Sequence, residues 1–401
     1  MPSGDSRLRI LTVTHNYPRF AGDAAGAFAA RLAEGVAARG HEVQVVAPHA
    51  SGLRTREQSG GVTLRRFRYA PEGFERVAYT GGLHQGTLRS PVAALFFPGF
   101  LLAFEIAVRQ AARAFRPDVV HAHWWFPGGW FTSHTGLPYL VTCHGSDVRL
   151  LERGAPVRSV ARKVLDRAAR VTAVSRFLIQ DIRRLLPDLK AEPVVTPMPL
   201  DVMRFQSGER QPKAVPPRIL YAGNLLPSKG VDLLLAAAAT LKGRGVQYEL
   251  KILGEGPAQQ SLRSQADRLG ISNHIIWSSF VPQERMPQEY GASTVTVLPT
   301  RGRAEGLGLT LVEALLAGSS VVGTRAGGIP EVVHDGVTGL LAAEDPIDLA
   351  NQLERMLNDQ TLRARLTRAG RDHVLQTYSP EPAIERFLQL YHAAAHDRPH
   401  R

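Results

Sequence analysis

The chain alternates short apolar runs with segments of helical length, and this pattern starts again near residue 218. In the first half, the apolar runs predict strands at 10–14, 43–47, 119–123, 139–143 and 171–174. In the second half, they predict strands at 218–222, 248–253, 275–277, 294–298 and 321–323. Strands that alternate with helices indicate βαβ units and parallel sheets. The sequence therefore predicts an α/β protein with two doubly wound domains, whose ligands bind at the carboxyl ends of the strands.

Helix and turn signals set the predicted domain boundaries. Phe28, Leu32 and Val36 repeat at four-residue spacing within 24–39, which predicts an amphipathic helix that ends at Gly40. A proline-rich stretch at 196–217 predicts a linker. We therefore expect a first domain at 1–195, a second domain at 218–378, and a final helical segment within 379–401.

Composition narrows the class of protein. The chain has 401 residues, of which 44% are hydrophobic and 21% are charged, as in ordinary globular proteins. Its single cysteine, Cys143, excludes an intramolecular disulfide and a cysteine-rich zinc site. The N-terminus shows no apolar signal-peptide core, so a cytoplasmic location is expected.

The formal net charge of +12 has three interpretations: nucleic acid, an anionic membrane surface, or an arginine-rich composition without a special partner. No zinc-finger spacing, RNP-like run or lysine block is present, which disfavours nucleic acid. The apolar segment 91–108 contains Pro98, Gly99 and Glu105 and is shorter than the ~20 residues of a membrane span. We expect a packed helix preceded by an apolar turn; contact with an anionic membrane face, helped by Arg89 and Arg113, is the alternative.

The most informative stretch is Glu305-Gly-Leu-Gly-Leu-Thr-Leu-Val-Glu313. It combines two carboxylates with a small-residue turn at the start of a helix, where roughly half a positive charge and unpaired amides attract phosphate. Carboxylates beside an anion site suit the hydroxyl groups of a sugar and a ribose. The alternative is structural, because Thr310 and Glu313 have the spacing of a helix capping box. A second glycine turn, Gly327-Gly328-Ile-Pro330, follows the next apolar run.

From Glu305 to Leu341 the chain resembles the donor-site signature of the retaining glycosyltransferases of family four. The resemblance implies the GT-B fold, with two Rossmann-like domains facing across a cleft and a last helix that returns to the first domain. It also implies sugar transfer from a nucleoside diphosphate to a hydroxyl acceptor, without a required metal or cofactor. Glu305 would hold sugar hydroxyls and Glu313 the ribose. Backbone groups of the intervening turn would hold the donor: Gly306, Leu307, Gly308, Leu309 and Thr310.

A third turn, Ala222-Gly-Asn224-Leu-Leu-Pro-Ser-Lys229-Gly, follows the first strand of the second half. A lysine that leads into a helix is a candidate phosphate ligand, and a solvated lysine is the alternative. Many relatives in the resembled family carry arginine where this chain has Asn224. Diphosphate binding is therefore expected to depend on Lys229 and on the amides of 307–310.

The first half supplies candidates for the acceptor side. His144 and Asp147 lie in a turn just after a predicted strand, and His144 resembles the histidine of the family, which would contact the transferred sugar near its 6-hydroxyl. His121 and His123 share one strand face; without a visible third metal ligand, we interpret Trp124 as a wall or platform for the acceptor.

The glycine loop with Gly22 and Asp23 lacks the dinucleotide fingerprint. In the family, this loop lies beside the acceptor and the donor phosphates.

Three rival functions remain to be weighed. A phosphorylase of this fold would be much longer and would have a lysine for pyridoxal phosphate, and an epimerase would lack the pair of glutamates. A basic nucleic-acid-binding module is the non-enzymatic rival.

The expected partners are a nucleotide-sugar donor, a sugar, lipid-linked or small-molecule acceptor, and an anionic membrane surface at the inner face of the cell membrane.

Overall fold

The chain divides into two compact units. Unit 1 is Met1–Leu200 with Pro380–Arg401, and unit 2 is Asp201–Ser379. The computed structural model describes residues 7–79, 91–279 and 281–396. Each unit contains a twisted, mainly parallel sheet with helices between successive strands. The cleft predicted between the two halves stays a prediction.

Unit 1 contains an eight-stranded sheet in the order β3-β4-β2-β1-β5-β6-β7-β8, in which only the β3–β4 pair is antiparallel among the described strands. The strands are β1 (Arg9–Val13), β2 (Glu42–Pro48), β3 (Arg56–Ser59), β4 (Val62–Phe67), β5 (Val119–His123), β6 (Tyr139–Cys143), β7 (Arg170–Ala173) and β8 (Val194–Val195). Every residue of the central strands β5 and β6 is buried, as expected of parallel strands covered on both faces.

The helices of unit 1 cover both faces of this sheet. They are α1 (Ala27–Ala37), α2 (Pro91–Phe115), α3 (Trp130–Thr132), α4 (Ser146–Leu150), α5 (Ala155–Asp166), α6 (Arg176–Leu185) and, from the end of the chain, Pro380–His396. In the last of these, Ile384, Phe387 and Tyr391 are buried in the core that α1 and β2 also form. The C-terminal helix therefore belongs to the core of unit 1.

Unit 2 contains a six-stranded parallel sheet in the order β11-β10-β9-β12-β13-β14. Its strands are β9 (Arg218–Ala222), β10 (Glu249–Leu253), β11 (Ile275–Ser278), β12 (Val295–Leu298), β13 (Ser320–Thr324) and β14 (Leu340–Ala342). Its helices are α7 (Val202–Gln206), α8 (Val231–Gly243), α9 (Gln259–Arg268), α10 (Met286–Ala292), α11 (Leu309–Leu316), α12 (Ile329–Val332), α13 (Pro346–Asn358) and α14 (Gln360–Tyr378). The C-terminal helix of unit 1, Pro380–His396, is numbered α15.

The strand order reverses at one point in each sheet. In unit 1, successive crossovers run in opposite directions from the adjacent pair β1 and β5; in unit 2, they run in opposite directions from β9 and β12. Loops that leave the carboxyl ends of such a pair diverge to opposite faces and open a crevice for a ligand. The candidate site residues follow β1, β5 and the neighbouring β6 in unit 1, and β9 and β12 in unit 2.

Three sequence-based expectations differ from the structure. The edge hairpin β3–β4 was not predicted, because its outer strand is polar and two arginines interrupt the apolar pattern of the inner one. Helix α2 begins at Pro91 and continues through Pro98, so the predicted apolar turn is wrong. The predicted linker at 196–217 contains α7, whose N-terminus is capped by the Asp201 side chain and whose Phe205 is buried.

Candidate functional site

Glycines allow three loops of unit 2 to pack backbone against backbone. A Cβ atom on Gly230, in the loop after β9, would lie 1.9 Å from the carbonyl oxygen of Pro299, in the loop after β12. Beyond β13, Gly327 would place a Cβ 2.2 Å from the carbonyl oxygen of Glu305, and its φ is +53°. Only glycine accommodates both the close approach and this φ. Residues that are far apart in sequence therefore meet at one edge of the sheet.

Lys229 and Glu305 form an ion pair at this edge. The Lys229 Nζ donates to Glu305 Oε2 at 2.8 Å, and both side chains are about one-fifth exposed, at 19% and 17%. Lys229, which is predicted to bind phosphate, and Glu305, which is predicted to bind sugar hydroxyls, are therefore direct neighbours. Each side chain carries the charge that compensates the other.

Helix α11 begins directly after this pair. Gly308, with φ of 94°, precedes its first residue, and no side chain caps the helix. Thr310 is therefore the second helical residue, so the capping-box alternative is wrong. Gly306 leads into the turn, in which Leu307 and Gly308 are buried and Leu309 is 43% exposed. The first amides of a helix have no intrahelical acceptor, which leaves this end suited to an anion.

Glu313 is held one turn into α11 by a buried tyrosine. The Tyr290 hydroxyl donates to Glu313 Oε2 at 3.0 Å. Burial, with the Glu313 charge beside it, holds the pKa of Tyr290 well above its ordinary value, so the hydroxyl remains a donor. Glu313 itself is half-buried. The contact fixes one carboxylate oxygen, as a residue that receives ligand hydroxyls requires.

Asn224 lies in the exposed part of the loop after β9, five positions before Lys229. Its carbonyl oxygen accepts a hydrogen bond from the Tyr221 hydroxyl at 2.9 Å. The structure thus places Asn224 in the same loop as Lys229. The role of its side chain toward a ligand stays a prediction.

In unit 1, three histidines lie at the carboxyl ends of adjacent strands. His15 follows β1, His123 ends β5 and His144 follows β6. The Nδ1 of His123 is 3.0 Å from the Nε2 of His144. Trp124 connects the group, with its ring centroid 4.1 Å from that of His15 and 4.5 Å from that of His144.

Burial keeps these imidazoles neutral. It lowers the pKa of His15 to about 3, and burial together with His15 does the same for His123. Burial, followed by the neighbouring His123 and His15, holds the pKa of His144 well below its ordinary value. A neutral imidazole can donate one hydrogen bond and accept one, so the cluster is suited to hydroxyl groups. His15 was not singled out from the sequence, although it directly follows the first predicted strand, and Phe28 was assigned only to the first helix.

Asp147 contacts the turn and is almost fully buried. Its carboxylate accepts from the backbone amides of His144 and Gly145, each at 3.0 Å, and from that of Trp125 at 3.2 Å. Burial raises the pKa of this carboxyl, while those amides and Cys143 oppose the rise. In this arrangement Asp147 holds the His144 turn from below. A contact of Asp147 with the substrate stays a prediction.

Trp124 was predicted to be a wall or platform for the acceptor, and that role stays a prediction. Its side chain is only 7% exposed, and its indole N–H donates to the Ser146 hydroxyl at 3.0 Å. Packing against His15, His144 and Phe28 encloses the rest of the ring. The large apolar area buried here makes Trp124 a packing element of the histidine cluster.

The glycine loop after β1 is organised by Asp23. Its Oδ2 accepts from the Nε of Arg19 at 2.7 Å and from the Arg19 amide at 3.0 Å, while Oδ1 accepts from the Ala25 amide at 3.1 Å. Burial by itself would raise the pKa of Asp23, but these hydrogen bonds outweigh it, and the pKa lies below its ordinary value. Gly22 precedes it with φ of 87°. The loop is thus held in shape by Asp23; binding roles for Gly22 and Asp23 stay predictions.

Among residues 7–79, 91–279 and 281–396, no group of three or more histidine, cysteine, aspartate or glutamate side chains could hold a metal ion. In the same part of the chain, one helix, α2, has the length and apolar composition to cross a membrane. A core helix passes the same test, and one face of α2 is packed in the core through Phe100, Phe104 and Val108.

In comparisons with known proteins, both units match families of glycosyltransferases. A family profile described as Glycosyl transferases group 1 matches residues 203–373, and one described as Glycosyltransferase Family 4 matches residues 25–204. A D-inositol 3-phosphate glycosyltransferase from Acidothermus cellulolyticus is 30% identical over 413 residues, which cover 94% of this chain and 87% of the relative.

Solved structures share the fold. A sucrose-phosphate synthase from Thermosynechococcus elongatus superposes with a TM-score of 0.78 at 21% identity, covering 96% of this chain and 98% of its own. The Anabaena protein HepE, solved in complex with UDP-glucose, superposes with a TM-score of 0.70 at 18% identity, covering 96% of this chain and all of its own (100%). These similarities identify the fold as GT-B.

The neutral histidines generate a prediction about stability and pH. For His15 and His123, the pKa is 6.5 when unperturbed and about 3 in the folded protein. The unfolded chain therefore binds more protons between these values, and stability, complete above pH 6.5, falls as the pH falls toward 3. Each histidine contributes a slope approaching about 1.4 kcal/mol per pH unit.

Urea unfolding at pH 7.5, 6.5, 5.5 and 5.0 measures this slope. We expect His123→Asn to make the decline below pH 6 shallower than in the original protein. His396→Gln, which changes an exposed histidine, is the matched control and leaves the slope unchanged. Equal slopes for His123→Asn and the original protein would contradict the neutral, buried state of His123.

Proposed function

Because the chain belongs to glycosyltransferase family 4, and is thus a glycosyltransferase, we propose that it moves a sugar from a nucleoside-diphosphate sugar to a hydroxyl acceptor with retention of anomeric configuration. The Lys229–Glu305 pair beside the start of α11 carries this proposal. It brings a cation for the diphosphate, free amides for the same group and a carboxylate for sugar hydroxyls to one place.

Each residue has a defined task in the proposed reaction. As the bond between the anomeric carbon and the β-phosphate oxygen breaks, Lys229 and the α11 amides stabilise the charge that the leaving diphosphate gains. The acceptor oxygen bonds to the anomeric carbon on the same face, and its proton passes to the departing phosphate. Glu305 holds the sugar hydroxyls, and Glu313, fixed by Tyr290, accepts from the ribose hydroxyls.

The proposal needs no metal ion or cofactor, because Lys229 and the helix amides supply the positive charge that the diphosphate requires. It assigns the acceptor to unit 1, where His144 contacts the transferred sugar. The relative from Acidothermus cellulolyticus is a D-inositol 3-phosphate glycosyltransferase, and relatives named as glycogen synthase and as a mannosyltransferase are 27% and 31% identical to this chain. The proposal therefore extends to a class of acceptor, a sugar, lipid-linked or small-molecule hydroxyl compound.

Calorimetric binding of a nucleoside diphosphate and of its parent nucleoside tests the donor site. UDP, GDP and ADP are screened first by thermal shift. Lys229→Ala should weaken binding of the stabilising diphosphate by about tenfold or more, as loss of a charged hydrogen bond does, and should leave nucleoside binding unchanged. Lys190→Ala removes an exposed lysine of unit 1 and serves as the control. Assays in EDTA and in Mg²⁺ accompany the screen.

Two results would contradict the donor assignment. One is binding of none of the three diphosphates by the original protein. The other is an equal loss of diphosphate and nucleoside affinity in Lys229→Ala, which would show that Lys229 acts through the shape of its loop. Activity lost in EDTA and restored by Mg²⁺ would contradict the metal-independent part of the proposal.

We also propose a cytoplasmic location with peripheral contact to an anionic membrane. Leu95, Leu102 and Ile106 are 74%, 61% and 45% exposed on one face of α2. Arg109 and Arg113 continue this exposed face toward the C-terminus of the helix. An apolar stripe followed by basic side chains is the pattern of an interfacial helix on anionic lipid. Arg89, named from the sequence, lies outside the described residues.

Co-sedimentation with liposomes tests this contact. We expect binding to phosphatidylglycerol vesicles at low salt, weaker binding at high salt, and little binding to phosphatidylcholine. The double change Leu95→Ser and Leu102→Ser should reduce binding by about thirtyfold or more, because it removes about 2–4 kcal/mol of apolar burial. Gln110→Ala, on the same exposed face, should have no effect. Equal binding by the double variant would contradict the assignment of α2.

A further inference from the structure

His123 is enclosed in unit 1 and has one hydrogen-bonding neighbour. Its Nδ1 lies 3.0 Å from the Nε2 of His144. Its other nitrogen, Nε2, is buried and has no partner within the described part of the chain. His123 therefore interacts with polar groups only through the edge that faces His144. This asymmetry determines where its proton resides.

A neutral imidazole carries one proton, which leaves two arrangements for the pair. If the proton is on His123 Nε2, a buried N–H donor is left without an acceptor, and such orphaned donors are rare and costly. If it is on Nδ1, His123 donates to His144, and only an acceptor lone pair is left unsatisfied. The second arrangement is lower in energy. His144 then accepts through Nε2, so its own proton is on Nδ1.

The geometry points to His123 as a positioning residue that holds His144 in its Nδ1–H form. The Nδ1 edge of His144 faces away from His123, and no partner for it is recorded among the described residues. His144 thus presents a fixed hydrogen-bond donor at the carboxyl end of β6. If the proposed function holds, this donor addresses an oxygen of the transferred sugar. Burial of both rings, which lowers their pKa values, keeps this single-proton state over the neutral range.

His123 is itself held in place by the layer beneath it. The ring of His121 lies 4.2 Å from that of His123 and is fixed at both nitrogens. Its Nδ1 is 2.7 Å from the Tyr391 hydroxyl of α15, and its Nε2 is 2.7 Å from the Thr142 hydroxyl. The C-terminal helix thereby contributes to the orientation of the histidine pair. A rigid support of this kind is what tautomer selection requires.

Two variants separate the hydrogen bond from the packing. In His123→Asn, the side-chain amide nitrogen occupies about the position of Nδ1 and can still donate to His144. In His123→Leu, a side chain of similar bulk fills the space without a donor. Both variants are made in the full-length protein, and His144→Gln identifies the His144 signals in two-bond ¹H–¹⁵N spectra of histidine-labelled protein.

In the original protein and in His123→Asn, we expect His144 to be protonated on Nδ1. In His123→Leu, we expect a shift toward the Nε2–H form. With a donor and acceptor identified by screening, His123→Leu should lower kcat about tenfold, equivalent to about 1.4 kcal/mol, with donor KM changed less than about twofold. His123→Asn should keep kcat within about threefold of the original value.

An Nε2–H form of His144 in the original protein would overturn the inference, and this result needs no variant. An unchanged His144 tautomer and kcat in His123→Leu would also overturn it. So would equal losses of kcat in the asparagine and leucine variants without a change of tautomer. The spectra are recorded without substrate, so a protein that transfers no sugar would refute the proposed function while the tautomer result stands by itself.

Discussion

The ion pair between Lys229 and Glu305 is the interaction on which the proposed donor site depends. Two opposite charges at 2.8 Å, both mostly buried, stabilise each other where either alone would be costly. The residues are 76 positions apart. Gly230 allows their two loops to pack closely, and the Arg301 amide donates to the Ser228 carbonyl oxygen at 2.9 Å between them. Backbone geometry, charge compensation and the start of α11 therefore form one structural unit.

The positions of the candidate donor-site residues could be predicted from the sequence because their signals are local. Strands, glycine turns and helix starts are encoded within ten or so residues, and Glu305, Lys229 and Glu313 each lie beside such a signal. Their partners were not predicted, since these come from elsewhere in the chain. Tyr290 meets Glu313 across 23 positions, and nothing in either local pattern indicates this contact.

Unit 1 shows why burial is harder to predict than position. The sequence placed Trp124 and Asp147 correctly after β5 and β6, but their exposure depends on loops after β1 and β6 that fold over them. His15 is more than 100 positions before His123, and only the strand order brings β1 beside β5. Likewise, Pro98 suggested a break in α2, whereas core packing of Phe100 and Phe104 keeps the helix continuous.

Under the proposed function, donor binding replaces the contact between Lys229 and Glu305. Lys229 then binds the diphosphate, and Glu305 accepts hydrogen bonds from the sugar hydroxyls. Calorimetric affinities of Glu305→Gln for a nucleoside diphosphate and for its sugar conjugate test this most directly. We expect tighter binding of the diphosphate, because Lys229 is released, and weaker binding of the conjugate, so that the preference for the conjugate falls about tenfold or more. An unchanged preference, with both affinities equal to those of the original protein, would contradict it.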